Sequence, residues 1–319
     1  MPQSNCPAAT GARHSQQAGG ASTAVTAARH WRSTHPCLRA PASRLYARLR
    51  QSRAVAADAS WTFDPGALAL IGLATALYVP RWRRVRRNDG PRAAPVARLA
   101  AFAGAVLTLF AALVSPIDRL GEQAFAMHMT QHILLLDIAP ILLIASFTKV
   151  ILRPVTRRLQ RLEQAAGPLG HPAAAVVFYV AVMWAWHVPA LYDAALEHST
   201  VHAFEHTFFM TAGLLYWWHL LSPIRSRAMH GMTPVVYMLS TKLFVGLLGI
   251  AITFAPDSFY TFYKDRPPIW GLDASTDQAV AGAIMALEQS IVMGIALVWL
   301  FIRALAESEA EEQRSERYA

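Results

Sequence analysis

Residues 127–144 read MHMTQHILLLDIAPILLI. An apolar run of this length is typical of a helix in a membrane, because about 20 apolar residues cross the hydrocarbon core of a bilayer. Two histidines, His128 and His132, stand four positions apart at its start, so a helix places both imidazoles on one face. Ionisable side chains inside a membrane usually mark function. The stretch therefore predicts a membrane helix that presents two imidazoles to a binding site.

The composition of the whole chain agrees with a membrane protein. Of its 319 residues, 54% are hydrophobic and 15% are charged, whereas a soluble domain carries about 25% charged residues. The net charge of +9 comes from basic residues clustered between apolar runs. No stacking aromatics are interleaved with these basic residues, so we expect no nucleic-acid partner. The two cysteines, Cys6 and Cys37, lie near the N-terminus and provide no metal knuckle in the apolar part.

The apolar segments predict an all-α fold, a polytopic membrane helix bundle with seven transmembrane helices. They cover approximately residues 65–79, 99–114, 122–147, 173–188, 201–221, 234–254 and 277–305. We expect three regions: a disordered basic N-terminal tail at 1–60, the seven-helix membrane domain at 61–305 and a charged cytoplasmic tail at 306–319. The N-terminal tail has eight arginines and no acid before Asp58. It is either translocated, removed from the mature protein or not translated.

Basic residues between the segments predict the orientation. Seventeen lysines and arginines lie in the first, third and fifth connections and at the C-terminal end, against three in the alternate connections. Those three are Arg119, Lys264 and Arg266. Since cytoplasmic loops are enriched in basic residues, the N-terminus is predicted outside and the C-terminus in the cytoplasm.

This orientation gathers six histidines from three consecutive segments near the outer leaflet. They are His128, His132, His187, His198, His202 and His206. His202 and His206 repeat the four-residue spacing of the first pair, and Met210 extends their stripe. Imidazole suits copper, zinc and iron, while a thioether such as that of Met129 favours Cu(I). We therefore predict a copper site, with zinc or bis-histidine haem as the less favoured alternatives.

The remaining histidines and Glu205 receive other interpretations. We expect solvent for His198, loops for His171 and His230, and the cytoplasmic interface for His219. Glu205 is expected to face away from its neighbouring histidines and to orient an imidazole of another helix.

Three ionisable residues in the inner halves of the segments predict a second polar feature. Asp137, Lys242 and Glu288 lie at similar depths, so Lys242 is expected to be neutralised by Asp137, Glu288 or both. The role of this set is either structural, as an ion pair between helices, or in proton or ion movement.

Several motifs together resemble the CtaG-type cytochrome c oxidase assembly proteins. They are HMTQHILLLDIAPILLI, WHVPALYDAAL with HAFEHTFF, and LLGIAITFAPDSFYTFY followed by WGLDASTDQAVAGAIM. The resemblance covers about residues 61–305. It implies a multi-spanning protein of the bacterial plasma membrane that helps to make active haem-copper oxidase by delivering copper to the catalytic subunit, at the copper-B centre. The family's histidine motifs map onto His128 and His132, onto His187, and onto His202 and His206.

We accordingly expect a membrane assembly factor, not an enzyme, whose partners are the oxidase catalytic subunit, the lipid bilayer and, as a further candidate, a periplasmic copper chaperone. The expected metal ligands are His128, His132, His202, His206, His187 and Met129. The alternatives are a copper transporter of the copper-resistance type, a membrane zinc hydrolase with Glu205 as general base and a b-type haem protein. No Walker motif indicates an ATP-driven pump.

Overall fold

The computed structural model of the chain describes residues 56–224, 229 and 231–318. Within those residues all regular secondary structure is helical, which confirms the all-α prediction. The predicted disordered tail at 1–60 falls almost wholly outside the described residues, and so does His230.

Long helices occur at each predicted apolar segment, and short helices lie in the connections. They are α1 Pro65–Asn88, α2 Val96–Leu113, α3 Pro116–Gly121, α4 Phe125–Ala145, α5 Lys149–Leu152, α6 Thr156–Ala165, α7 Pro172–Trp186, α8 Pro189–Glu197, α9 Ser199–Leu221, α10 Thr233–Thr253, α11 Thr261–Lys264 and α12 Ala274–Tyr318. The last helix continues into the segment that the sequence analysis assigns to a C-terminal tail.

Among the described residues, four helices are long and apolar enough to cross a membrane: α2, α4, α10 and the Ala274–Ala306 part of α12. A fifth span results if α7 and α8, which are bent by 73° relative to each other, are counted as one. The predicted number of seven is not confirmed. At 24 and 23 residues, α1 and α9 have sufficient length. Both contain more polar residues than the four, because α1 ends in arginines and α9 carries histidines.

The N-terminus of α4 is capped by a side chain from a distant helix. The carboxylate of Asp277, in α12, accepts hydrogen bonds from the backbone amides of Phe125 at 2.6 Å and Ala126 at 3.1 Å. The first amides of a helix have no partner within it, and a carboxylate also interacts favourably with the positive end of the helix dipole. Asp277 therefore sets where α4 begins, one turn before His128.

The middle of α4 contains a π-helical turn at Leu134–Ile138. Pro140 follows and has no amide hydrogen, so the Leu136 carbonyl lacks its usual donor within the helix. Gly213 of α9 lies directly against that carbonyl. A Cβ added at Gly213 would overlap the Leu136 oxygen and lie 2.9 Å from Pro140 Cγ. The two backbones therefore touch here.

This contact aligns the histidines of the two helices. His132 is four residues before Leu136, and His206 is seven residues before Gly213, which correspond to about 6 and 10 Å along parallel helices. His128 lies about 12 Å before the contact. The imidazole of His206 therefore falls between those of His128 and His132 in depth.

The main apolar core packs this pair of helices against α7, α10 and α12. Its large, fully buried side chains include Tyr179 of α7, Phe209 and Trp217 of α9 and Met238 of α10. A smaller cluster packs α1 and α2 against α4 and includes Met210. Met210, which the sequence places on the stripe of His202 and His206, is half-buried and packs against this cluster.

Candidate metal centre

The two histidines of the opening stretch are buried on one face of α4. His128 and His132 are 0% and 3% exposed, and their ring centroids lie 4.3 Å apart. Their four-residue spacing brings them together, as expected for a helix. Both face α9.

The second histidine pair meets the first. The rings of His202 and His206 have centroids 4.1 Å apart and are half-buried. The His128 ring lies 5.2 Å from that of His202, and the His132 ring lies 5.9 Å from that of His206. The structure thus brings four imidazoles from α4 and α9 into one group.

Glu205 belongs to the same group. Its fully buried carboxylate lies between the α4 imidazoles, with Oε2 3.4 Å from His128 Nε2 and Oε1 3.5 Å from His132 Nε2. The expectation that Glu205 faces away from the histidines of its own helix is wrong. It stands three residues after His202, and positions three apart share a helix face, so this spacing was the signal that indicated its place. We call His128, His132, His202, Glu205 and His206 the His/Glu cluster.

The donor atoms of this cluster are close together and lack hydrogen-bond partners. His128, His132, Glu205 and His206 each offer one donor atom within 4.8 Å of all the others. Unpartnered buried atoms include both ring nitrogens of His128 and His132, Nε2 of His202 and His206, and both Glu205 oxygens. Buried polar groups are nearly always hydrogen-bonded. Four residues with close, unpartnered donor atoms fit a bound cation.

His187 and Met129 lie beside the cluster and contact each other. His187 directly follows α7, and its Nδ1 is 2.6 Å from the Met183 carbonyl oxygen, a contact that requires Nδ1–H to donate. Its Nε2 is 3.2 Å from the sulfur of the fully buried Met129. The His132 and His187 rings are 6.3 Å apart. Met129 is therefore the methionine that the structure brings to a predicted site histidine.

Aromatic side chains enclose the group, and no motif in the sequence marks them. Phe209 stacks on the His132 ring with centroids 4.1 Å apart, and Tyr192 lies 5.1 Å from the His128 ring. Tyr260 donates a hydrogen bond of 3.1 Å to the His187 carbonyl oxygen. Tyr192 and Tyr260 are both fully buried. These rings exclude water from the donor atoms, which strengthens electrostatic interactions inside the site.

Three other described histidines lie elsewhere. His198 is exposed between α8 and α9, and His171 accepts a hydrogen bond from Ala173 at the start of α7. His219 is buried in the last turn of α9, 13 residues or about 20 Å from His206. It is packed against other side chains there, and its expected place at the cytoplasmic interface stays a prediction.

The inner polar residues do not form the expected ion pair. Lys242 Nζ donates to the Gln289 carbonyl oxygen at 2.8 Å, and no carboxylate among the described residues lies within 4.0 Å of it. Asp137 instead accepts hydrogen bonds from Tyr179 and Trp217. The Glu288 carboxyl is within hydrogen-bonding reach of Asp137. Both acids line one narrow cavity, whose lining does not include Lys242.

Comparison with known proteins identifies the family to which the chain belongs. Residues 76–307 match the family described as cytochrome c oxidase caa3 assembly factor (Caa3_CtaG). Uncharacterized proteins of Mycobacterium leprae and Mycobacterium bovis are 24% identical to the chain over 286 and 289 residues. Each alignment covers 81% of this chain but 41% of the relative, so the chain spans less than half the length of these relatives. No solved structure matches. The family match covers most of the chain and all of the His/Glu cluster, so the chain belongs to the caa3 cytochrome c oxidase assembly factors.

Proposed function

We propose that the chain binds copper at the His/Glu cluster and supplies it to the catalytic subunit of a cytochrome c oxidase, at the copper-B centre. The observation that carries the proposal is the set of buried, unpartnered nitrogen and oxygen atoms that converge from α4 and α9. Imidazole is a good ligand for copper. The family's role in oxidase assembly supplies the reason to choose copper as the cargo.

Burial of the cluster supports a role in holding and passing on a metal rather than in catalysis. His128 and Glu205 are both 0% exposed, and the Tyr192 ring lies 5.1 Å from that of His128. A hydrolytic zinc site needs an open position for water and substrate. Because Glu205 adds a carboxylate to the imidazoles of the cluster, zinc binding is the second candidate, and metal analysis separates it from copper.

We also propose the seven-span topology, with the N-terminus outside and the C-terminus in the cytoplasm of a bacterial plasma membrane. Helices at all seven predicted segments support it. The directions of three helices support it as well. The helices α4 and α9 run parallel, and the C-terminal end of α7 brings His187 to their His/Glu cluster. This topology puts the cluster near the outer face, where a periplasmic copper chaperone and the oxidase subunit have access to it.

Metal analysis of variants tests the copper proposal. His132→Ala and His206→Ala each remove one donor, and we expect copper affinity to fall at least 10–100-fold, the range typical of losses even around metal ligands. Cytochrome c oxidase activity should be lost in membranes of the same strains. Elemental analysis of detergent-purified protein and oxygen consumption by membranes give the two readouts.

The exposed His198 of the same region provides the matched control. His198→Ala should keep wild-type copper content and oxidase activity. Full copper binding and full oxidase activity in both the His132→Ala and His206→Ala proteins would refute the proposal. Stoichiometric zinc without copper in the wild-type protein would favour the zinc alternative.

A further inference from the structure

A second group of donors lies immediately beneath the His/Glu cluster. A small cavity there is lined by His132 and His187 and also by Asp137 and Glu288. Its accessible volume is about 10 Å³, which is room for about one water-sized body. The sulfur-containing side chains on its wall are Met129, Met183 and Met285. They come from α4, α7 and α12, so three helices contribute a methionine to one small space.

The contact between His187 and Met129 is not an ordinary hydrogen bond. His187 Nδ1 lies 2.6 Å from the Met183 carbonyl oxygen, so the ring proton is on Nδ1. In the neutral ring, Nε2 then carries a lone pair. That lone pair lies 3.2 Å from the Met129 sulfur, which also has only lone pairs to offer. A second ring proton would create a charged imidazolium in a buried apolar setting, which is costly.

Two lone-pair donors that face each other at this distance suit a shared cation. Both are buried, since His187 is 6% and Met129 is 0% exposed. Thioether sulfur is a soft ligand and, with imidazole, selects Cu(I) over harder divalent ions. The carboxylate of the His/Glu cluster, by contrast, accepts harder ions as well.

We propose that His187 Nε2 and Met129 Sδ, with Met183 and Met285 in the same cavity, form a second copper position that is selective for Cu(I). This inference deepens the proposed copper function and rests on it. His132 belongs to both groups, because its ring lines the cavity and lies 5.9 Å from that of His206 and 6.3 Å from that of His187. The two positions are thus adjacent and share one imidazole.

The test uses the full chain in mild detergent under anaerobic conditions, loaded with Cu(I), with Ag(I) as a second monovalent probe and with Zn(II). X-ray absorption at the copper edge detects sulfur ligands, and elemental analysis gives the stoichiometry. We expect two Cu(I) per wild-type chain, with a sulfur scatterer. Met129→Leu keeps the side-chain volume nearly unchanged. It should weaken the sulfur signal and lower Cu(I) and Ag(I) affinity at one position at least tenfold, with Zn(II) binding unchanged.

Met238→Leu is the matched control, because Met238 is equally buried, at 1% exposed, and does not line the cavity. It should behave as wild type. The double variant His128→Ala/Glu205→Gln removes two donors of the His/Glu cluster and should retain one Cu(I) with a sulfur ligand. A wild-type spectrum without sulfur, or a Met129→Leu protein with unchanged Cu(I) affinity, overturns the inference.

These outcomes separate the inference from the proposed function. If copper binds only through nitrogen and oxygen, the His/Glu cluster stands as a copper site and the second position is rejected. If the double variant and the wild type both bind one sulfur-ligated Cu(I), the second position stands and the His/Glu cluster is rejected as the copper site. A wild-type chain that binds no copper overturns both.

Discussion

Asp137 joins three helices just below the metal-binding region. Its carboxylate accepts hydrogen bonds from Trp217 Nε1 at 2.7 Å and from the Tyr179 hydroxyl at 2.9 and 3.0 Å. Both donors are buried and have no access to water as a replacement partner. Asp137 thus fixes the π-helical turn of α4 relative to α7 and α9.

The consequence of removing this acceptor is a loss of stability. Asp137→Leu leaves two buried donors unpaired, at about 1–3 kcal/mol each, so we expect the free energy of unfolding to fall by about 2–6 kcal/mol. Asp137→Asn should be much milder, because its amide oxygen accepts from both Trp217 and Tyr179 while its NH₂ group faces Glu288. Thermal unfolding of the purified variants measures the difference. Equal stability of the Leu variant and the wild type would contradict this role.

At the level of single residues, the sequence predicted which side chains share a helix face better than it predicted their contacts with other helices. The imidazoles of His128 and His132 share a face because the helix period alone dictates it. The face of Glu205 was predicted wrongly, although the same period places it near His202, whereas its expected approach to an imidazole of another helix agrees with its contacts on α4. The partner of Lys242 was missed because it depends on how two helices pack: a backbone carbonyl at Gln289 accepts its hydrogen bond, and no sequence pattern marks such an acceptor.

The pair α4 and α9 is the element that builds the His/Glu cluster. The close approach depends on Gly213, since any side chain there would meet the Leu136 carbonyl. A glycine in an apolar helix is visible in the sequence, but the π-helical turn that it packs against is not. The break after α7 was partly visible, because Pro189 disfavours a helical conformation at Val188. The structure ends the helix at Trp186, which leaves His187 free to turn toward the site.

Gly213→Ala tests whether this packing positions the donors. Inserting a methyl group into a tight contact typically costs about 1–3 kcal/mol. We expect lower thermal stability and, because α9 must move away from α4, reduced copper binding at the His/Glu cluster. Elemental analysis of the purified variant measures the second effect.

Gly246→Ala is the control for that substitution. Gly246 lies in α10, and a Cβ added there meets nothing within 4 Å. Replacing a helical glycine by alanine in open space should be neutral or stabilising by up to about 1 kcal/mol. If Gly213→Ala behaves as Gly246→Ala does, the close approach of α4 and α9 does not control the metal centre.

Across the whole molecule, the helices that depart from an ideal membrane span are those that carry the site. The four most apolar candidates include only one that bears cluster residues, α4. By contrast, α9 carries His202, Glu205 and His206, and α7 stops after 15 residues, where His187 leaves the helix. Because the candidate functional side chains are polar, a helix that carries them is less apolar. A test for membrane spans based on length and apolar character therefore misses such helices. The charge pattern of the loops provides a separate prediction of orientation, which does not depend on that count.

Reporter fusions test the orientation directly. The many arginines around Gly90 and the basic residues before Gly167 predict that both sites face the cytoplasm. Asp193 of α8 should lie outside, because it follows α7 at the end that carries His187. Fusions at Gly90 and Gly167 should give activity with a cytoplasmic reporter, and a fusion at Asp193 should give activity with a reporter that matures only outside. A cytoplasmic signal at Asp193 would place the His/Glu cluster near the inner face, and copper would then have to reach it from the cytoplasm rather than from a periplasmic chaperone.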